Sequence, residues 1–60
     1  MSERAILERE VASHRARVEE LEQALQSLAD ERQAALLRLE LKGRAAAVEL
    51  GAARLRFLRD

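Results

Sequence analysis

Sixty residues with eleven acids, eleven bases and no cysteine make at most one small domain, one that disulfides cannot staple. A single histidine without cysteine argues against an internal zinc site, which takes about four such ligands. Packing against other helices is the remaining route to stability.

Twelve Ala, eleven Leu, ten Arg and nine Glu dominate, while Pro, Asn, Thr, Trp and Tyr are absent. These are helix formers, and the strand and turn residues are missing, so the expected fold class is all-α. The longest unbroken apolar runs, Ala34 to Leu37 and Ala45 to Val48, are four residues long, against the roughly 20 a membrane-spanning helix needs. The start, Met-Ser-Glu-Arg, lacks the basic opening and apolar core of a signal peptide. A cytoplasmic location is expected, or a host's cytoplasm or virion if the chain is viral.

Ser2 reads as a helix N-cap, with Glu3 in the first turn where a carboxylate meets the positive helix end. Leu7, Val11, His14, Val18, Leu21, Leu25 and Leu28 then recur at alternating spacings of four and three. That is a heptad seam with Leu7, His14, Leu21 and Leu28 at d and Val11, Val18 and Leu25 at a, the pattern of a coiled coil. In a parallel dimer Glu10 would meet Arg15 and Arg17 would meet Glu22, while Glu3 would face Glu8 in a repulsive pair. Histidine is the side-chain type that changes charge near neutral pH, so His14 facing its copy reads as a pH switch or as a polar residue that sets register. The register role is favoured, since one polar seam residue is enough to specify pairing.

Ser27 to Gln33 is the first candidate interruption. Asp30 and Gln33 have capping-box spacing, but no Gly, Pro or Asn is present to turn the chain. One continuous or gently bent helix is therefore expected. A fold-back near Gly43 is the next choice and a turn near Asp30 the last. The expected architecture is a long amphipathic coiled-coil helix, bent or folded back near Gly43 if anywhere, and stable only as an oligomer or on partner helices.

Beyond Ala34 the apolar pattern widens. Leu37, Leu41, Ala45, Val48, Ala52 and Leu55 share one face, and Gly43, Ala47, Leu50 and Phe57 broaden it. So broad a face touches more than one partner surface, and Leu37, Leu41, Val48, Leu50, Leu55, Phe57 and Leu58 form the expected C-terminal docking face. Residues 1–31 form an acidic heptad segment with eight acids against four bases, and 32–60 a basic Ala/Leu-rich segment with seven bases against three acids. Such halves attract in an antiparallel dimer, a hairpin or a head-to-tail array.

Lys42, Arg44, Arg54, Arg56 and Arg59 are candidate anion contacts, which would make nucleic acid a partner with salt-sensitive affinity. Arg54 and Arg56 lie on different helix faces, and Phe57 is the one aromatic available for stacking, so a solvated or protein-binding role is favoured. Membrane binding is disfavoured because the apolar face is alanine-rich and the charges are not confined to one side. No catalytic, cofactor-binding or metal-binding residues are expected. Ser13 and His14 project from a helix in different directions, Glu19 and Glu20 have no pocket to shift them, and no glycine-rich phosphate loop surrounds Gly43 or Gly51. The expected function is that of a non-enzymatic structural or adaptor protein. It would oligomerise, most readily as a dimer, or dock through the N-terminal seam, and bind a larger protein assembly through its C-terminal half. The alternative is a small regulator that uses the basic half to bind nucleic acid or a nucleic-acid enzyme.

Overall fold

The computed structural model describes residues 2–58, and Arg59, one of the candidate anion contacts, lies outside them. Two helices, α1 (Glu3–Ser27) and α2 (Glu31–Phe57), run antiparallel along each other in a rod of 47 × 15 × 13 Å. The chain is all-α, and it reverses at Leu28–Asp30.

The reversal corrects the expectation of one continuous helix and of a fold-back near Gly43. Leu28 (φ −80°, ψ 127°) and Asp30 (φ −79°, ψ 115°) are extended, a conformation open to any L residue, and no described residue has a positive φ. The turn therefore needs neither Gly nor Pro. The Leu28 N–H still donates to the Ala24 carbonyl at 3.1 Å, which closes α1. Asp30 then starts α2: its Oδ1 accepts from the N–H groups of Arg32 at 2.9 Å and Gln33 at 3.3 Å. The acid satisfies two otherwise orphaned donors and opposes the positive end of the helix. Ser2 acts likewise on α1, its Oγ accepting from the Ala5 N–H at 3.1 Å. Gly43 lies well inside α2, where its cost of about 1 kcal/mol in helix propensity leaves the helix unbroken.

The seam of α1 is turned toward α2. Val11 and Leu21 are buried there, and Leu7, His14, Val18, Leu25 and Leu28 are partly buried. Opposite them α2 carries its own three-four series: Ala34, Leu37, Leu41, Arg44, Val48, Gly51, Leu55 and Leu58, with Ala34 buried and the rest partly buried. The Arg4 guanidinium donates to the Leu58 carbonyl at 3.3 Å, which ties the open end of the hairpin together. At Gly51 the Val11 side chain packs directly on the α2 backbone, because a Cβ added there would overlap Val11 Cγ2.

Leu21, only 1% exposed, is the most enclosed side chain of a thin core. Leu21→Ala should cost roughly 2–5 kcal/mol, as much as the about 3–5 kcal/mol a core of this size supplies. Most of the helical circular-dichroism signal should then be lost. The glycines separate in the opposite sense. Gly43→Ala meets nothing within 4 Å in the hairpin and should stabilise the single chain by about 1 kcal/mol of helix propensity, which raises its thermal midpoint. Gly51→Ala should lower it, since Val11 is β-branched with few rotamers to yield. Adding Val11→Ala should recover part of that loss.

Candidate interaction surface

The most polar part of the seam is at mid-length. Arg17 on α1 reaches across to Glu40 on α2 with two parallel hydrogen bonds, Nε to Oε2 at 2.8 Å and Nη2 to Oε1 at 3.1 Å. A planar guanidinium meeting a planar carboxylate in this way fixes direction as well as distance. Arg44 Nε lies 3.5 Å from the same Oε2, and Glu20 lies 3.7 Å from Arg17 Nη1. Arg44 also donates through Nη1 to His14 Nδ1 at 3.0 Å. Arginine has no acceptor, so Nδ1 accepts and the ring proton of the neutral imidazole sits on Nε2. His14 thus pairs with Arg44 of its own chain, whereas the heptad reading has it face a second His14. Likewise Arg17, which the parallel-dimer reading pairs with Glu22, takes Glu40.

The hydrogen bond from Arg17, with the charges of Arg17 and Arg44, holds the Glu40 carboxyl below the usual carboxylate range against a smaller effect of desolvation. The same contact raises Arg17. These groups are a third or more open to solvent, so they specify the register of the hairpin more than they strengthen it.

The C-terminal docking residues divide into two sets. Leu37, Leu41, Val48, Leu55 and Leu58 face α1. Leu50 and Phe57 stand outward, 56% and 86% exposed, and with them stand Leu36 and Leu39, 66% and 68% exposed. Together with Gly43, Ala46 and Ala53 these form a second three-four series, Leu36, Leu39, Gly43, Ala46, Leu50, Ala53 and Phe57. It is the inward series displaced by two residues. Two residues turn a helix by about 200°, so the second series lies on the side of α2 away from the seam, although Leu50 borders a cleft with Leu7, Val11 and His14, and Ala53 and Phe57 border one with Glu3 and Leu7. The charged rows Lys42, Glu49, Arg56 and Glu40, Arg54 flank it. The outer side of α1 is more polar: Ser13, Glu19, Glu20 and Gln23 are exposed there with Ala16, and Ile6, 44% exposed, stands near its start.

Leu36 and Leu39 are absent from the docking face inferred from the sequence, and so are the inward positions of Ala34, Arg44 and Gly51. The regular three-four spacing of both series is the signal that would have separated them. A spacing through Ala45 and Ala52 passes between the two stripes. Those alanines instead border an open groove of about 820 Å³ between the helices, with Ala12, Ala16, Val18 and Val48.

The candidate anion contacts do not converge. Arg44 is engaged in the seam, Arg54 borders a shallow cleft with Glu10 and His14, and Lys42 and Arg56 are exposed about four helical turns apart on α2. The hairpin also lays the acidic first half along the basic second half. Among the described residues no helix is long and apolar enough to cross a membrane, and no group of three His, Cys, Asp or Glu side chains could hold a metal ion. No family model, curated protein or solved structure matches the chain.

Because the folded Glu40 carboxyl is held below its unfolded value, the stability it contributes is present at neutral pH and is lost as pH falls through the folded value. Glu40→Gln should remove that dependence. Thermal midpoints recorded between about pH 6 and about pH 3 should fall less steeply for the variant than for the parent chain.

Proposed function

We propose that the chain is a non-enzymatic helix–helix association module, a structural or adaptor protein whose binding surface is the outward face of α2. One observation carries the proposal: on the side of α2 turned away from α1 the stripe from Leu36 to Phe57 carries no charged residue, and its four large apolar side chains are each more than half exposed. Contiguous apolar surface with charged rims is the mark of an association site. The thin seam supports the same reading, since Val11, Leu21 and Ala34 are the only buried residues among those described. A chain of this size gains stability by covering more of its surface.

In this proposal the two halves have separate roles. The N-terminal seam, read from the sequence as the oligomerising surface, is engaged with α2, and α1 acts as the brace that presents α2. Docking on a larger protein assembly falls to Leu36, Leu39, Leu50 and Phe57. The nucleic-acid reading draws less support, because the cations are dispersed and the acidic helix lies beside them.

Leu39→Arg with Leu50→Arg places charges on the stripe and leaves every buried seam residue in place. Immobilised parent chain should retain a protein partner, or untagged copies of itself, from the cells that make it. The double variant should retain none at unchanged helical content. Equal retention by both would overturn the proposal.

A further inference from the structure

Resting on that reading, we infer that the partner on the outer stripe of α2 is a second copy of the chain, its α2 running antiparallel to the first. The stripe is complementary to itself in that orientation. Set Leu39 of one copy against Leu50 of the other, and Gly43 falls opposite Ala46, Leu36 opposite Ala53, and Phe57 opposite Arg32, which continues the stripe by one turn. Leucine meets leucine or alanine, Phe57 meets the long side chain of Arg32, and the smallest residues meet at the centre. A Cβ on Gly43 would have nothing within 4 Å, so the backbone there is open to close approach by another helix. Arg32 over Phe57 makes a cation–π contact at each end.

The flanking charges agree. Lys42 immediately precedes Gly43 and Glu49 immediately precedes Leu50. In this register Lys42 of each copy faces Glu49 of the other, twice by symmetry. Both are exposed, and neither makes an ion pair with another of the described residues. Sliding the copies by one heptad instead sets Lys42 against Arg56 and Glu49 against Glu49. Parallel pairing stacks Gly43 on Gly43 and Phe57 on Phe57, which opens a gap and a bulge along one interface. The product of the antiparallel register is a four-helix assembly with the two α2 helices inside and the acidic α1 helices outside.

Sedimentation equilibrium on the full chain, over a concentration series with circular dichroism on the same samples, should give twice the 6.8 kDa of one chain. The chain has no cysteine, so orientation is read by single thiols. Under mild oxidation a mixture of Leu39→Cys and Leu50→Cys chains should form mixed disulfide dimers, and neither variant alone should cross-link to itself. Lys42→Glu should weaken the dimer about tenfold, and adding Glu49→Lys should restore it. Self-cross-linking of each single variant without mixed preference would mean parallel pairing and overturn the inference. So would a helical chain that remains a monomer at every concentration. If that monomer still loses its captured partners on Leu39→Arg/Leu50→Arg, the association-module proposal stands and only self-pairing falls.

Discussion

In a two-helix hairpin each helix has a single neighbour, and most features of this molecule follow from that constraint. A cylinder touching one other cylinder can enclose only a narrow strip of side chains, about two positions per heptad. Leu7 to Leu28 on α1 and Ala34 to Leu58 on α2 are those strips. Even on them, side chains other than Val11, Leu21 and Ala34 keep contact with water. The close approach at Gly51 is one response to this. Without a side chain there, Val11 sits against the α2 backbone and is enclosed as a longer pair of side chains would not enclose it.

Such a thin strip leaves register poorly defined, because leucine on leucine is satisfied at several offsets. The mid-length cluster supplies what the apolar strip lacks. Arg17 on Glu40 is bidentate, and Glu40 is shared with Arg44, which in turn donates to His14. A slip by one turn would break the set together. Exposed ion pairs add little stability, but a set with fixed donors and acceptors discriminates well among near-equal apolar alignments. Asp30 and Ser2 act in the same spirit at the two helix starts, setting where each helix begins.

The N-terminal seam was legible because its period is regular and its residues are large: each seam position named there is wholly or partly buried. What the sequence concealed was the partner, since a heptad seam describes one surface and says nothing of whether the other surface belongs to another chain. The turn was harder to read because its signal is the Asp30–Gln33 cap alone. The backbone there stays at negative φ, so the usual Gly or Pro marker has no reason to be present. In α2 the difficulty was excess. Apolar residues on two opposite sides read as one broad face, and the inward row includes Arg44 and Gly51, of which one closes the polar cluster and the other admits Val11.

That double-sided pattern is the feature the hairpin itself leaves unexplained. Apart from Ile6 near its start and two alanines, outward positions on α1 carry Glu, Gln and Ser, which shows that this fold tolerates polar residues opposite its seam. The corresponding positions on α2 carry Leu36, Leu39, Leu50 and Phe57 at regular spacing, with charges held to the rows beside them. Random scatter of surface leucines has no reason to keep a three-four period over three heptads, nor to avoid charge at every stripe position from Leu36 to Phe57. A second helical neighbour accounts for both, because the period that fits a stripe to one helix is the period that fits it to another. The proposed division of labour follows from that repetition: one face of α2 makes the hairpin, and the opposite face makes the assembly.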